Sequence, residues 1–254
     1  MGSILAERIL KCYRPPESFQ LVIVYGPLGV GKSAYQFKVT VDVLKRLYNV
    51  EEGQAWEMVK SLIVFHPEQF FQKLREARQM GVRIPVLNWD DAGLWLYAMD
   101  WDDPFIIAFT KWLNVARTQV ACLICSTPSP QFLFKKLRSF PQAITVRVIS
   151  WADEQRPADI WRRVAKGYRH FVLPDLRRTR VHLLFKDFFS CRLPDRFFKW
   201  YKPLRDTYAE LAKKLMEEKW LNSERLKNSK ALQYYKSAPL PPLHGLGDLD
   251  DSSP

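Results

Sequence analysis

Eight consecutive residues near the start of the chain have the types and spacing that suit a phosphate group. They fit G-x-x-x-x-G-K-[ST] in full: Gly26, Pro27, Leu28, Gly29, Val30, Gly31, Lys32 and Ser33. Glycines let the backbone wrap so that N–H groups converge on phosphate oxygens. Lys32 would reach the β and γ phosphates, and the Ser33 hydroxyl would ligate Mg²⁺. The motif predicts a site for ATP and Mg²⁺; the alternative is a glycine-rich turn with a chance lysine.

A pair of carboxylates follows a later apolar segment, "RIPVLNWDD". A phosphate site of this kind needs an acid for the metal at the end of a nearby strand. Asp90 is predicted to hold Mg²⁺ through water, and Asp91 to act as the base that polarises the attacking water. An aspartate at that position is one methylene shorter than the glutamate of many ATPases, so slower chemistry is an open alternative. The two acids could instead form a helix N-cap pair.

The segment "ACLICSTP" is predicted to be a strand with a polar tip. Ser126 and Thr127 end that strand, and we take Thr127 as the candidate to contact the γ-phosphate or the attacking water. A simple strand-end cap is the alternative. Cys122 and Cys125 form a C-x-x-C inside the strand, but no second ligand pair exists. We therefore interpret them as buried core thiols.

The elements around these residues alternate between strand and helix. Apolar, β-branched runs such as "SFQLVIVYG", "SLIVFH" and "AITVRVI" read as buried strands, and helical patterns separate them. This alternation predicts an α/β fold, a three-layer sandwich whose parallel sheet has helices on both faces. Two further β-like stretches predict a long basic hairpin, and the residues after 193 are helical in pattern, with a break expected at Pro203.

The charge of the chain is concentrated in one segment. The net charge is +12 over 254 residues. Residues 156–205 contain 14 Lys/Arg and 4 Asp/Glu, a net of +10. Cations interleaved with aromatic side chains favour a nucleic acid, so DNA is the predicted partner. A solvated basic edge hairpin and an anionic membrane surface are the alternatives. No apolar run is long enough for a membrane span, and the N-terminus shows no signal peptide, which predicts a cytoplasmic protein.

The order of motifs resembles the AAA+ and wider additional-strand P-loop ATPases. More narrowly, "GPLGVGKSAYQ", "NWDDAGLWL" and "DFFSCRLPDRFFKWYKPLRDTYAELAKKL" resemble the ATPases of spindle-shaped archaeal viruses and related plasmids, which are likened to DnaA-type initiators. The resemblance implies that Arg138, in "FKKLRSFPQAITVRV", acts as an arginine finger on the ATP of a neighbouring subunit, in a ring or filament. A surface arginine is the alternative. The basic hairpin stands where the helical lid of an AAA+ protein would begin.

These observations predict three regions and one function. We expect an ATPase core over residues 1–155, a basic hairpin with C-terminal helices over 156–236, and a disordered tail over 237–254. The predicted function is an ATPase that acts on DNA in replication initiation, loading or remodelling for a virus or mobile element. A packaging or virion-assembly motor is one alternative. A nucleotide-gated DNA-binding switch with little turnover is the other.

Overall fold

The computed structural model describes residues 2–141, 143–150, 160–172 and 179–221. The strands are β1 (Gln20–Tyr25), β2 (Ile63–Val64), β3 (Leu87–Trp89), β4 (Cys122–Thr127), β5 (Ile144–Ser150), β6 (Arg162–Val172) and β7 (Thr179–Ser190). The helices are α1 (Ile4–Tyr13), α2 (Lys32–Tyr48), α3 (Glu52–Lys60), α4 (Pro67–Gln79), α5 (Pro104–Leu113), α6 (Lys135–Arg138) and α7 (Asp195–Leu221). The predicted tail, 237–254, lies outside the described residues.

All seven strands form one sheet in the order β2-β3-β4-β1-β5-β6-β7. The first five in this order run parallel, as predicted from the alternation of strands and helices. β4 lies between β1, which leads into the glycine-rich loop, and β3, which leads to the acidic pair. The carboxyl ends of these three strands therefore meet at one edge of the sheet, where parallel α/β sheets place their ligands.

The parallel strands are buried on both faces, which explains their continuous apolar runs. Leu21 of β1 belongs to an apolar cluster shared with α4 and α5 on one face of the sheet. Its neighbour Val22 belongs to a second cluster, shared with α1 and α2 on the other face. Because side chains alternate along a strand, one short strand anchors both helical layers. This confirms the predicted three-layer α/β fold.

Helix α1 is fixed to the rest of the molecule by one buried carboxylate on β7. Asp187 accepts hydrogen bonds from the hydroxyl of Ser3 at 2.6 Å and from the backbone N–H of Ile4 at 2.9 Å. It also accepts from the backbone N–H of Leu5 at 3.4 Å and from the Tyr35 hydroxyl at 2.8 Å. A carboxylate at a helix N-terminus satisfies amides that have no partner inside the helix. Asp187 therefore joins α1, α2 and β7.

The predicted hairpin is formed by β6 and β7, and it extends the sheet instead of standing apart from it. β6 pairs antiparallel with β5, with Ser150 opposite Arg163 and Ile144 opposite Arg169. β7 pairs antiparallel with β6 and forms the end of the sheet. Where the resemblance predicted the start of a helical lid, residues 162–172 and 179–190 therefore form two strands. Arg177 and Arg178, part of the predicted basic segment, lie outside the described residues.

Helix α7 passes through Pro203, where the sequence predicted a break. Proline removes one backbone donor from the helix, but the helix continues for five further turns. The chain divides into two compact units, Met1–Tyr201 and Lys202–Pro254. The predicted boundary between residues 155 and 156 stays a prediction. In the described ranges no helix is both long enough and apolar enough to cross a bilayer.

Candidate functional site

The glycine-rich loop connects β1 to α2 and has a backbone that requires glycine. Gly26 has φ 152° and Gly31 has φ 97°, values that side-chain-bearing residues rarely adopt. A Cβ atom on Gly26 would lie 2.5 Å from the Val148 carbonyl oxygen, and one on Gly31 would lie 2.6 Å from Cβ of Cys191. The loop is therefore enclosed between β5 and the residue that follows β7. Pro27, Leu28 and Gly29 form its exposed crest, and Val30 is buried.

Lys32 begins α2 and folds its ammonium group back onto the loop. Its Nζ donates to the Gly26 carbonyl at 3.1 Å and to the Pro27 carbonyl at 2.9 Å, and the side chain is buried. These carbonyl contacts hold a cation inside the loop, at the N-terminal end of a 17-residue helix. Both the ammonium group and the helix dipole attract an anion to this position.

Asp90 lies directly after β3 and is fully buried beside Ser33. Its Oδ1 accepts hydrogen bonds from the Ser33 hydroxyl at 2.9 Å, from Nε2 of Gln36 at 2.7 Å and from the Ser126 hydroxyl at 2.6 Å. Its Oδ2 accepts a hydrogen bond from the Tyr201 hydroxyl at 2.5 Å. The structure thus brings together the predicted metal residues Ser33 and Asp90, which are 57 positions apart.

The atoms around Asp90 fit a hard cation. A hydroxyl and a carboxylate are oxygen ligands of the kind that Mg²⁺ takes, together with phosphate oxygens and water. Oε1 of Gln36 is also buried beside this cluster, without a hydrogen-bond partner among the residues that the structure describes. A buried acceptor of this kind suits a metal-bound water. No group of three His, Cys, Asp or Glu residues in the described ranges forms a metal site.

The side chain of Asp91 does not join the cluster around Asp90, although Asp91 is the next residue in the chain. Its backbone is left-handed, with φ 49°, and its side chain is exposed. Its N–H donates to the Ser126 hydroxyl at 2.9 Å. Ser126 therefore ties the backbone of Asp91 to the carboxylate of Asp90, while the Asp91 carboxylate points towards solvent at the strand edge. Its predicted role as the base stays a prediction.

Ser126, not Thr127, is the strand-tip residue that reaches Asp90. Successive side chains of β4 point to opposite faces, so Ser126 faces α2 and Thr127 faces the other layer. The Thr127 hydroxyl donates to the Ser129 carbonyl at 3.0 Å, in the manner of a strand-end cap, and the side chain is buried. The sequence drew attention to both residues but could not assign their faces without the register of the strand.

Arg138 lies far from this cluster in the fold. It ends α6 and is exposed, six residues before β5 begins. The glycine-rich loop follows the carboxyl end of β1, whereas α6 precedes the amino end of the parallel neighbour β5. Arg138 is thus at the opposite edge of the sheet from the loop of its own chain. A role on ATP would require the site of a neighbouring subunit.

Two residues that contact Asp90 were missed in the sequence. Gln36 follows Ser33 by three positions on α2, so the helical period puts both on one face, and this signal was available. Tyr201 is 111 positions from Asp90, and nothing local connects the two. Tyr201 packs between the rings of Phe37 and Phe197, which hold the hydroxyl in place.

The hairpin also contacts the phosphate loop. The guanidinium of Arg163 on β6 donates from Nε to the Val30 carbonyl at 3.0 Å and from Nη1 to the Ile160 carbonyl at 2.7 Å. Cys191, the residue directly after β7, packs against Gly31. The loop is therefore held by both strands of the hairpin. Cys122 and Cys125 are free, buried thiols, as predicted, and burial raises the pKa of the Cys125 thiol to about 12.

Comparisons with known proteins give one weakly similar viral relative and two distant structural matches. No protein-family model matches the chain. A protein of Sulfolobus spindle-shape virus 1, B-251, is 28% identical over 222 residues, which cover 84% of this chain and 83% of that protein. The predicted resemblance to proteins of spindle-shaped viruses is therefore supported by a weakly similar viral relative.

Two solved structures match the chain at low identity and with low TM-scores. The N-terminal domain of zonular occludens toxin from Neisseria meningitidis is 12% identical, with TM-score 0.37, over 71% of this chain and 97% of that one. A KaiC-like protein from Pyrococcus horikoshii is 13% identical, with TM-score 0.34, over 64% and 88%. In this chain the strand order, the glycine-rich loop and the carboxylate beside Ser33 are those of a P-loop NTPase fold.

Proposed function

We propose that this protein binds ATP with Mg²⁺ and hydrolyses it. The observation that carries the proposal is the hydrogen bond between Ser33 and the buried Asp90, next to a lysine at the start of a helix. Mg²⁺, when bound there, would neutralise charge on the β and γ phosphates. The N–H groups of residues 26–33 would hold the phosphates, and Lys32 would exchange its carbonyl partners for phosphate oxygens.

The remaining catalytic roles are assigned to residues at the same edge and on a neighbouring copy. Asp91, at the solvent side of Asp90, would accept the proton of the attacking water. Thr127 would fix the strand tip beside that water. Arg138, exposed at the opposite edge, would complete the site of the next subunit in a ring or filament. An arginine supplied in this way stabilises the charge that develops during transfer.

We further propose that the ATPase acts on DNA through the distal part of the hairpin, the part that runs beyond β5. The pairing of β6 with β5 stops at Arg169. Residues 170–172 of β6 and 179–181 of β7 therefore extend roughly 10 Å beyond β5. The exposed side chains there include Arg180, Phe171 and His182. The ring centroids of Phe171 and His182 are 5.2 Å apart. Cations can neutralise phosphates, and exposed rings can stack on bases. This surface supports a DNA-directed role, for which we propose replication initiation, loading or remodelling; the similarity to a viral protein supports only a viral or mobile-element setting.

A nucleotide-gated DNA-binding switch is the second candidate. The observation that favours it is Asp91, whose short carboxylate is exposed on a left-handed residue. In this candidate ATP holds the loop and the hairpin in one arrangement, and turnover is slow.

The test is ATP hydrolysis measured with no DNA, with single-stranded DNA and with double-stranded DNA. Lys32→Ala should abolish turnover, and Lys38→Ala, which removes a lysine from the next turns of the same helix, should not. Stimulation by DNA that vanishes in Lys32→Ala supports a DNA-directed ATPase. Tight ATP binding without turnover under every DNA condition would leave the switch. Absence of ATP binding would reject both.

A further inference from the structure

Two exposed surfaces of this chain are complementary in charge and in apolar character. The first is the acidic–aromatic loop, residues 97–103, which follows β3 and the acidic pair. Its side chains are Tyr97, Met99, Asp100, Trp101, Asp102 and Asp103. Met99 is 72% exposed and Trp101 is 69% exposed, although both are large and apolar. Exposed apolar side chains grouped on one loop and surrounded by charge are typical of a protein contact.

The acidic–aromatic loop is held in a defined shape. Tyr97 forms a bridge with Leu133, and the N–H of Ala98 donates to the Phe132 carbonyl at 2.8 Å. A turn closes the loop, with the N–H of Asp103 donating to the Asp100 carbonyl at 3.0 Å. A loop that is already ordered loses little conformational entropy when it binds.

The second surface is the basic face of the hairpin and β5. Arg147, Lys166 and Lys186 lie directly opposite one another on three neighbouring strands. Arg147 and Lys186 are exposed, and Lys166 is half-buried. The exposed Arg147 and Lys186 make this face of the sheet positive. A positive face attracts an acidic surface, so the charge favours an acidic partner.

Apolar side chains border this row of cations. Phe188 is 61% exposed, and Leu183 and Val181 are also exposed. A register shift beside Gly167 and Tyr168 keeps Leu183 on the same face as Lys186, although the two are three positions apart. A nucleic acid would cover the cations and could stack on Phe188, but it has no apolar surface for the aliphatic side chains. A protein loop with aromatic and acidic side chains covers both.

We propose that the acidic–aromatic loop of one copy docks on the basic face of a second copy. Asp100 and Asp102 would face the row of cations, and Trp101 and Met99 would cover Phe188, Leu183 and Val181. The two surfaces belong to different edges of the sheet and are both exposed within one chain, so the contact is head-to-tail. A head-to-tail contact repeats, and it generates a ring or a filament. The expectation of a ring or filament rests on the proposed function, whereas the two contacting surfaces are assigned from the structure.

The experiment uses two double variants of the full chain, each of which removes one side of the contact. Trp101→Ala with Asp102→Ala removes the loop side, and Lys186→Ala with Phe188→Ala removes the face side. The matched control is Lys111→Ala with Ile107→Ala, which removes one exposed lysine and one exposed apolar side chain from α5. Thermal unfolding checks that each variant is folded. Analytical ultracentrifugation over a range of concentrations, with and without Mg·ATP, gives the assembly state.

We expect the wild type and the control to form oligomers, and each contact variant to need about 30-fold higher concentration, the effect of losing a central aromatic anchor. Mixing the two contact variants is the decisive step. The intact face of the loop variant can accept the intact loop of the face variant, but neither can add a third copy. The mixture should therefore form one-to-one dimers and nothing larger.

A wild type that stays monomeric at every concentration would overturn the inference, and so would contact variants that assemble like the control. A face variant that assembles normally but binds single-stranded DNA more weakly would make the basic face a nucleic-acid site and would also overturn it. The proposed function is tested separately. Lys32→Ala should not turn over ATP and yet should still assemble, so a failed ATPase assay does not decide whether the contact between copies exists.

Discussion

Two buried aspartates, Asp90 and Asp187, have nearly the same surroundings and serve different purposes. Each accepts four hydrogen bonds, and one donor in each case is a tyrosine hydroxyl; Asp187 has one serine hydroxyl among its donors and Asp90 has two. Neither has an oppositely charged side chain among these donors. Each carboxylate is therefore stabilised by the dipoles of these donors, since a buried charge needs hydrogen-bond partners.

The difference lies in the other donors. Two of the four donors to Asp187 are backbone N–H groups at the start of α1, which stay where the helix puts them. All four donors to Asp90 are side chains, and they come from α2, β4 and α7. Side chains can turn to serve a metal or a water, whereas backbone donors cannot. Asp187 is a structural link, and Asp90 has the surroundings of a site.

The largest effect on stability should come from breaking the structural link. Asp187→Ala leaves the Tyr35 hydroxyl and two helix amides without their acceptor, so the free energy of unfolding should fall by about 3 kcal/mol. Urea denaturation followed by circular dichroism measures it. A loss below about 0.5 kcal/mol would mean that α1 is held by its apolar face alone.

The next effect should appear in turnover. Asp90→Asn keeps an acceptor for the surrounding hydroxyls but removes the charge that a metal needs, so Mg²⁺-dependent ATP hydrolysis should fall by about 10–100-fold. Asp187→Asn, measured below its unfolding transition, makes the same change in the other aspartate and should leave turnover close to wild type. Equal losses of ATP hydrolysis in the two variants would mean that Asp90 is no more a functional residue than Asp187.

The smallest effect should separate the two tyrosines. Tyr35→Phe and Tyr201→Phe each remove a buried hydroxyl from a carboxylate and should each lower stability by about 1 kcal/mol. Burial, followed by the charge of Asp187, raises the pKa of Tyr35 well above its ordinary value, so this hydroxyl is a donor at neutral pH.

Only Tyr201→Phe should change the metal requirement. The Mg²⁺ concentration for half-maximal nucleotide binding should rise about 10-fold, because outer contacts orient a metal's carboxylate. Nucleotide binding in EDTA should stay unchanged in both variants, and fluorescence of a labelled nucleotide measures each quantity. An unchanged Mg²⁺ requirement in Tyr201→Phe would make Tyr201 a packing residue.

Much of the site was predictable because its main parts are local in sequence. The phosphate loop is one motif between a strand and a helix, and Asp90 follows a strand, so both could be identified from pattern and spacing. The parallel direction of the core strands followed from the alternation of β and α elements, whereas their order in the sheet did not. The face of Ser126 relative to Thr127 was a matter of register, and sequence alone does not fix register.

The rest depends on contacts between distant segments. Asp187 was counted among the residues of a basic segment, yet its role is set by α1, more than 180 positions away. Tyr201 reaches Asp90 because β7 returns the chain to the phosphate loop before α7 begins. No propensity or period of the local sequence contains that information. Similarly, the hairpin was predicted as a hairpin, but its pairing with β5 was not.

The strand β6 touches the phosphate loop at one end, through Arg163 and the Val30 carbonyl, and carries the exposed Phe171 at the other. β6 pairs with β7 from Arg162 to Val172, so we expect a displacement at one end to be transmitted to the other. Thermodynamic linkage makes such a coupling reciprocal. If bound nucleotide changes the affinity of the distal end for its ligand by some factor, then bound ligand changes the affinity of the loop for nucleotide by the same factor. In this protein β6 would transmit a displacement between the phosphate loop and the distal end of the hairpin.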